Sequence, residues 1–388
     1  MKYSEQHLRT FLKILEVYPQ DEPLAKFLPG YFRQHKQMGS SDRRTASRLL
    51  YNYFRLGKAC TDLSVQERLF IAEFLCHTAP QDFLAHFSPE LNQNIALPLA
   101  EKITWLENQT TFRLDQVFPF TGYLSAGIDK ECFLRSFFIQ PDLFIRLRRG
   151  KEGIVKSRLD EAGVLYHEEG ESALRLANGT KLDQLFPSGH ALFEVQDLSS
   201  QQTGNYFKPS ASEYWWDACA ASGGKSLLLF DQQPDIQLLV SDIRESVLNN
   251  LEQRFFNAGL RRFQRKQLDL TQNQAQILHH YAFHGIILDA PCSGSGTWGR
   301  TPEMISQFNE SRIDFFQNLQ KTIAGNVLPY LKPGKPLIYI TCSAFRAENE
   351  DVVAYLEEQF NLIAEEQQLI AGYETKADTM FVARLVGR

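Results

Sequence analysis

The sequence predicts an α/β fold in the C-terminal half of the chain and an all-α region at the N-terminus. From about residue 190 onward, short apolar runs alternate with helical patterns, which is typical of a parallel sheet covered by helices on both faces. Before about residue 108, apolar residues recur at intervals of three and four. With 388 residues the chain is too long for one compact core, so we expect two or three domains.

The composition, 43% hydrophobic and 22% charged, is that of an ordinary globular protein. No apolar run approaches the roughly 18 residues of a membrane span, and the first helix is amphipathic, unlike a signal peptide. We therefore expect a cytoplasmic protein that does not contact membranes. The net charge of −5 does not indicate nucleic acid, although binding depends on where the charges lie. No two cysteines have C-x-x-C spacing, so we expect no metal site. The cysteines are Cys60, Cys76, Cys132, Cys219, Cys292 and Cys342.

Residues 1–110 form the predicted helical domain. N-cap residues at 39–42 begin a helix that ends at Gly57, a typical C-cap. One flank of this helix is basic, which fits either a solvated helix face or a surface for a phosphate backbone. The basic residues are Arg43, Arg44, Arg48, Arg55 and Lys58.

Residues 111–188 form a predicted small α/β module. The segment FIRLRRG at 144–150 alternates with period two, a helix ends at Gly163, and ALRLANG ends in an Asn-Gly turn. Positive charge concentrates here, which indicates either phosphate binding or a soluble surface. The residues are Arg135, Arg146, Arg148, Arg149, Lys151, Lys156 and Arg158.

Residues 189–388 contain the predicted parallel sheet. Its strands are predicted at Tyr214–Trp216, Ile236–Val240, Phe263–Leu268, Ile286–Leu288 and Leu337–Ile340. Its helices are predicted at Glu245–Ala258, Gln272–Tyr281, Glu303–Leu331 and Glu348–Gln359.

A loop of small residues follows the first of these strands, from Asp217 to Ser226. Such a loop lets a ligand approach the backbone, and the helix behind it offers unpaired N–H groups. The loop is not a P-loop, because Cys219 lies where that motif requires its first glycine. ATP binding is therefore disfavoured.

The next three strands also end in acids, Asp242, Asp269 and Asp289. Asp242 lies roughly 20 residues after the loop, where an acid accepts the hydroxyls of a ribose. Several acids on one rim fit a nucleoside with a cationic group, such as S-adenosylmethionine (SAM). NAD fits less well, because these acids would repel its pyrophosphate. For each acid singly, a helix cap or a turn is the alternative.

Two cysteines, Cys292 and Cys342, follow the fourth and fifth strands, so their thiols are predicted to share one pocket. Thiols beside a methyl donor indicate methylation of a pyrimidine at carbon 5, because a thiolate that adds to carbon 6 makes carbon 5 nucleophilic. An acid near the ring, such as Asp289, could hold the exocyclic amine and N3 of a cytosine. Buried, inert cysteines are the alternative.

Three segments resemble the signature blocks of the Sun (Fmu) family of RNA cytosine-5 methyltransferases: DACAASGGK, DAPCSGSGTWGRTPE and YITCSAFRAENEDVV. Val195–Asp197 and Phe381–Leu385 are similar too. The resemblance implies that Cys342 is the nucleophile and that Cys292 assists product release. It implies SAM binding by Asp242, Asp269 and Asp289 and by the loop residues Cys219, Ala220, Ala221, Ser222, Gly223, Gly224 and Lys225.

The N-terminal half is less similar to this family. SSDRRTASRLLYNYFRLG resembles a helix of the NusB-like RNA-binding domain in the bacterial small-subunit ribosomal RNA branch, and QPDLFIRLRRG resembles the family's middle subdomain. Three residues depart from the family pattern. Ser222 replaces a usual Pro, Arg148 replaces a usual Asn, and Val247 replaces a frequent basic residue. Arg244 could substitute for the last, but we expect it to face elsewhere on its helix.

We therefore predict a Rossmann-like, SAM-dependent RNA cytosine-5 methyltransferase that acts as a monomer. Ribosomal RNA is the first expected substrate and transfer RNA the second. The basic segments, together with Arg261, Arg262, Arg265 and Lys266, are expected to hold the RNA backbone. A non-catalytic RNA-binding assembly factor is the competing interpretation. A DNA methylase is disfavoured, because no long insert interrupts the catalytic half.

Overall fold

A computed structural model describes residues 2–187 and 189–387 of the chain. The helices are α1 (Lys2–Val17), α2 (Leu24–Gln34), α3 (Ser40–Arg55), α4 (Val65–Cys76), α5 (Asp82–Phe87), α6 (Pro89–Gln93), α7 (Leu99–Gln109), α8 (Lys130–Ser136), α9 (Glu152–Glu161), α10 (Leu182–Leu185), α11 (Leu198–Gln202), α12 (Gly224–Gln232), α13 (Glu245–Ala258), α14 (Ala275–Leu278), α15 (Glu303–Gln307), α16 (Ser311–Val327) and α17 (Glu350–Phe360).

The strands are β1 (Leu143–Leu147), β2 (Tyr166–Glu168), β3 (Ala173–Leu176), β4 (Phe193–Val195), β5 (Tyr214–Asp217), β6 (Gln237–Asp242), β7 (Phe263–Gln267), β8 (Gly285–Asp289), β9 (Pro336–Thr341), β10 (Leu362–Ala371) and β11 (Thr379–Gly387).

The chain divides into two compact units, a helical unit and an α/β unit. Of the described residues, the helical unit contains 2–122, 129–140 and 297–310, and the α/β unit contains 123–128, 141–187, 189–296 and 311–387. The predicted domain boundaries at residues 110 and 188 stay a prediction.

The helical unit confirms the helical reading of the N-terminal region. Its core is built from the apolar faces of α1, α2 and α3, with Phe11, Leu24 and Leu49 fully buried. Helix α4 begins at a capping box in which Ser64 and Glu67 satisfy each other's backbone N–H groups. This helix packs against α3.

The α/β unit contains two sheets. The smaller sheet is antiparallel with the order β2-β3-β1-β4 and includes the predicted FIRLRRG strand. The larger sheet has the order β10-β11-β9-β8-β5-β6-β7. Strands β5 to β9 are parallel, as predicted, and give the unit the predicted Rossmann-like fold.

The central strands are buried on both faces, which explains why they read as continuous apolar runs. Trp215 and Ile287 belong to the core on one face, and Trp216 and Ile286 belong to the core on the other. The chain order reverses between β5 and β8, and ligands bind at the carboxyl ends of strands at such a point.

Two features were missed or misjudged from the sequence. The antiparallel hairpin of β10 and β11, which closes one edge of the large sheet, was missed. The predicted helix Glu303–Leu331 is two helices, because Phe308 adopts an extended conformation after α15 and buries its side chain beside Trp298. Within the described residues, no helix is long and apolar enough to cross a membrane.

The hairpin restricts one position of the loop after β8. At Gly296 an added Cβ would lie 2.0 Å from the carbonyl oxygen of Thr379, at the start of β11, and 3.0 Å from that of Cys342. Because both obstacles are backbone, Gly296→Ala is expected to lower the free energy of unfolding by about 1–3 kcal/mol in urea titrations. Gly153→Ala is the control, because a Cβ there meets open space and stability should be unchanged or slightly raised. Equal stability of the two variants would contradict this packing.

Candidate active site

The loop between β5 and α12 has an unusual backbone. Ala221 has a φ of +44° and Gly223 a φ of +81°. At Gly223 a Cβ would also lie 2.4 Å from the Phe255 ring, so only glycine fits. The Gly223 N–H donates to the Ala220 carbonyl at 2.7 Å, which closes a tight turn. The loop therefore presents small side chains and backbone at the rim of the sheet.

Asp242, at the end of β6, is bonded directly to this loop. The Ala221 N–H donates to Asp242 Oδ2 at 3.1 Å, and the Arg244 backbone and Nε donate to Oδ1 at 2.9 and 3.0 Å. Burial opposes ionisation, but the Arg244 bonds outweigh it and lower the pKa of Asp242. The expectation that Arg244 faces elsewhere is wrong, because Arg244 precedes α13 in an extended conformation. It pairs with Asp242, while Val247 lies within α13.

Lys225 connects the loop to the acid at the end of β8. Its buried Nζ donates to Asp289 Oδ2 at 3.0 Å and to Ser200 Oγ at 2.8 Å. The Asp289 side chain is 32% exposed, so this carboxylate is accessible while it is held in place.

Asp217, the last residue of β5, is fully buried. Ser226 Oγ donates to its Oδ2 at 2.6 Å, and its Oδ1 has no hydrogen-bond partner within the described residues. Burial raises the pKa of Asp217 to about 7, and the neighbouring Asp289 adds to the rise against the bond from Ser226. An unpaired buried oxygen beside the loop fits a ligand that carries a hydrogen-bond donor.

The structure brings the two predicted catalytic sulfurs together. Cys292 follows β8 and Cys342 follows the adjacent parallel strand β9, and their Sγ atoms lie 3.3 Å apart. Both residues are partly exposed. The hydrogen bond with Cys342 raises the pKa of the Cys292 thiol well above its ordinary value, and burial adds to this. Either sulfur of the pair can be the hydrogen-bond donor.

A buried carboxylate that the sequence reading missed orders both cysteine loops. Glu348 Oε2 accepts from the Ser293 N–H at 2.8 Å, and its Oε1 accepts from Ser343 Oγ at 2.8 Å. Gln320 Nε2 donates to Glu348 at 3.1 Å. Burial raises the pKa of Glu348, although these donors lower it in part. The serine that follows each cysteine was the signal available in the sequence, since both serines reach one acceptor.

Two other predicted cofactor residues are less closely connected. The Asp269 carboxylate accepts from the backbone and the hydroxyl of Thr271, at 3.0 and 2.6 Å, which makes a local turn. The Cys219 side chain packs against the core that contains Trp216, and burial raises the pKa of its thiol. Such a thiol is inert, so only its backbone and shape can serve the site.

The basic segments are not uniformly available for a phosphate backbone. Arg55 is buried and donates to the Phe137 carbonyl, and Arg146 and Arg148 are buried and paired with Asp231. The expectation that these three arginines hold RNA is wrong, because a side chain sealed in the core cannot reach a phosphate. Exposed cations do remain in the two segments. They include Arg44, Arg149, Lys151 and Arg158.

The third basic cluster lies around β7. Arg262 pairs with Asp235, and Arg265 pairs with Glu245. Arg261 stacks over the exposed ring of Phe256, with its guanidinium 4.0 Å from the ring centre. A role of this cluster in RNA binding stays a prediction.

Residues 205–385 match the model of the family described as 16S rRNA methyltransferase RsmB/F. This segment of the chain is similar to the RsmB/F family. The resemblance to the Sun (Fmu) family is thereby confirmed. The loop, the acids and the two cysteines described above all belong to the α/β unit.

Similar proteins extend the comparison. Ribosomal RNA small subunit methyltransferase B from Salmonella typhi is 30% identical over 261 residues, and that from Enterobacter sp. (strain 638) is 28% identical over 227 residues. The first match covers 64% of this chain and 60% of the relative, and the second covers 57% and 53%. The chain thus spans less than two thirds of the length of these RsmB/F relatives.

Two solved structures share the fold. The crystal structure of PH0851 has a TM-score of 0.70 at 20% identity and covers 92% of both chains. A methyltransferase homolog protein from Pyrococcus horikoshii has a TM-score of 0.59 at 19% identity, covering 75% of this chain and all of that one.

The buried Asp217 gives a stability prediction. Its pKa is about 7 in the folded chain, and an unfolded aspartate titrates near ~3.9, so between these values only the folded state keeps the proton. Stability from this group is therefore present at low pH and lost as the pH rises through about 7. Asp217→Asn should remove that loss and raise the free energy of unfolding at pH 8 by up to about 4 kcal/mol.

The measurement is a series of urea titrations from pH 4 to pH 8. At each pH, the free energy of unfolding of the unsubstituted chain is subtracted from that of the variant. Asp235→Asn is the control, because Asp235 is exposed and pairs with Arg262 at the surface. A difference for Asp217→Asn that does not change with pH would contradict the buried, protonated acid.

Proposed function

We propose that this protein is a SAM-dependent methyltransferase that modifies carbon 5 of a cytosine in RNA. The observation that carries the proposal is the pair of sulfurs, Cys292 and Cys342, which lie 3.3 Å apart after the neighbouring parallel strands β8 and β9. A lone reactive thiol would serve many reactions. Two adjacent thiols suit one that needs a covalent bond to be made and then released.

In this mechanism Cys342 is the nucleophile. Its thiolate adds to carbon 6 of the cytosine, which places electron density on carbon 5, and carbon 5 then takes the methyl group. A base removes the proton from carbon 5, the bond between sulfur and carbon 6 breaks, and the thiolate leaves. Cys292 assists this release. The 3.3 Å separation of the two sulfurs supports a shared site, because a thiol at Cys292 is within reach of the sulfur that would bond to the base.

Asp289 would orient the base. Its carboxylate lies at the end of β8, three residues before Cys292, and Lys225 holds one of its oxygens. A carboxylate there can accept from the exocyclic amine of cytosine, which uracil lacks. A base inside a duplex would first have to be flipped out, at a cost of about a few kcal/mol, so loops and exposed strands are favoured targets.

The rim of the sheet fits SAM, which supplies the methyl group when it is bound. Asp242 lies where a ribose is held, and the unpaired buried oxygen of Asp217 can accept from a donor on the ligand. NSun6 from Pyrococcus horikoshii, which shares the fold at a TM-score of 0.58 and 15% identity, was crystallised with SFG, a SAM analogue. We assign cofactor contacts to Cys219, Ala220, Ala221, Ser222, Gly223, Gly224, Lys225, Asp242, Asp269 and Asp289.

Ribosomal RNA is the proposed substrate, and transfer RNA is the alternative. Mapping of the modified cytosine distinguishes the two. The names of the curated relatives support a target in small-subunit ribosomal RNA. Exposed cations such as Arg44 and Arg149 would contact the RNA backbone. We further propose that the protein acts as a monomer in the cytoplasm, where its substrate is found.

Cys342→Ala is expected to abolish methyl transfer and to leave SAM binding within about twofold, because the thiol attacks the base and is not needed by the cofactor loop. The measurement is the release of tritium from RNA labelled at carbon 5 of cytosine, with SAM affinity measured by calorimetry. Retained turnover would refute the role of Cys342.

Cys292→Ala is expected to trap a covalent adduct with RNA, because Cys342 can still add to the base but its release is impaired. After the variant is incubated with SAM and RNA, the adduct would appear as a band of low mobility in a denaturing gel. Cys132→Ala is the control, since Cys132 is an exposed cysteine of the helical unit, and it should form no adduct. Normal turnover by Cys292→Ala without an adduct would remove its role.

Bisulfite sequencing of RNA from a deletion strain tests the substrate. A cytosine that loses protection in small-subunit ribosomal RNA supports the proposal, and one in transfer RNA supports the alternative. If the strain loses no modified cytosine and the purified protein releases no tritium, the non-catalytic assembly factor is the better description.

A further inference from the structure

We propose that Arg254 and Arg148 are positioning residues for the SAM-binding loop, and that they act through an ion network anchored in the small sheet. This inference rests on the proposed function. It concerns two departures from the family pattern, Ser222 and Arg148, which the network brings into one chain of contacts.

The network begins at the loop itself. Arg254, on α13, donates from its Nη1 to both the carbonyl oxygen and the Oγ of Ser222, each at 2.9 Å. Its Nε donates to Glu194 Oε2, on β4, at 2.7 Å. The neighbouring Phe255 lies directly beneath Gly223. Consecutive residues of α13 therefore hold two consecutive residues of the loop.

Glu194 connects Arg254 to the small sheet. It is buried, and its second oxygen accepts from Arg148. Arg148 in turn donates to both oxygens of Asp231, on α12, at 2.9 and 3.1 Å. Asp231 also accepts from Arg146. Because α12 is the helix that follows the loop, the network contacts both Ser222 in the loop and the helix that begins after it.

A second path from the same sheet reaches Lys225. Arg146 Nε donates to Gln196 Oε1 at 2.8 Å, and Gln196 Nε2 donates to Ser200 Oγ at 3.2 Å. Ser200 Oγ also accepts from Lys225 Nζ at 2.8 Å. The lysine that holds Asp289 is thus fixed from the small sheet as well.

The energetics argue that this arrangement has a use beyond stability. Burying charges is costly, and a buried ion pair is often no more stabilising than an apolar pair of the same size. Two of the guanidinium groups also keep a buried nitrogen, Arg146 Nη2 and Arg148 Nε, that has no hydrogen-bond partner among residues 2–187 and 189–387. The network does, however, specify one geometry, and one of its ends is the loop that would hold SAM.

The network also explains the two departures together. A proline at position 222 would restrict the loop by its ring. Serine lacks that restriction but offers a hydroxyl, which Arg254 uses as a second acceptor. Arg148 supplies the cation that Glu194 and Asp231 require, which an asparagine would not. We infer that in this chain the hydrogen bonds from Arg254 to Ser222 restrict the loop in place of a proline ring.

The test measures SAM affinity by calorimetry and the kinetic constants for SAM in four chains: unsubstituted, Arg254→Gln, Ser222→Pro and the double variant. We expect Arg254→Gln to raise the Kd and KM for SAM roughly tenfold, the size expected for one lost charged hydrogen bond. The kcat should stay within about twofold of that of the unsubstituted chain, because Arg254 does not touch the reacting atoms. In the Ser222→Pro background the same change should raise Kd by no more than about twofold.

Arg384→Gln is the matched control. Arg384 lies in the same unit, is mostly buried, and pairs with Glu365 and with the Tyr206 carbonyl. Its loss should lower the melting temperature but leave the Kd for SAM unchanged. The inference is overturned if Arg254→Gln leaves Kd unchanged, if its effect is equal in both backgrounds, or if kcat falls while Kd does not. An unsubstituted chain that binds SAM but methylates no cytosine would instead refute the proposed function alone, and one that binds no SAM would refute both.

Discussion

The buried carboxylate of Glu348 is the interaction on which the arrangement of the two thiols depends. It accepts one hydrogen bond from the loop after β8 and another from the loop after β9. Those loops carry Cys292 and Cys342, and the Sγ atoms lie 3.3 Å apart. A buried acceptor with several donors has few alternative arrangements, because each unmade bond costs about 1–3 kcal/mol. The separation of the sulfurs is thus set by residues that touch neither of them.

The loop after β5 is held in a different way. Its backbone conformation is unfavourable for an ordinary side chain at Ala221, and the exposed side chains of Ala221 and Ser222 have little to pack with. Charged groups therefore fix it from outside: Asp242 at one residue, Arg254 at the next and Lys225 at the start of α12. A site built of small residues leaves room for a ligand. Because such a loop has few packing contacts of its own, the surrounding charged residues hold it in one conformation.

The sequence was most informative where a single physical signal decided the structure. Apolar runs such as Ile286–Leu288 predict the positions of the parallel strands, and the acids that follow them predict which edge of the sheet carries the site. It was least informative where the partner is distant along the chain. Nothing in the sequence near Arg146 or Arg148 indicates that both pair with Asp231 in the interior, so the sequence predicts them to be surface cations. Glu348 was overlooked for the same reason, because its role depends on Ser293, 55 residues away.

The segment 297–310 shows that the two units cannot be separated by cutting the chain once. It follows the Cys292 loop directly, yet it belongs to the helical unit, where Trp298 packs against Phe118 and Phe308 packs against Phe120. A fragment starting near residue 189 would keep Trp298 and Phe308 but lose both aromatic neighbours, and would present two large rings to water. Truncation is therefore a poor way to isolate the methyltransferase half, and aggregation of such a fragment would say nothing about its catalytic competence.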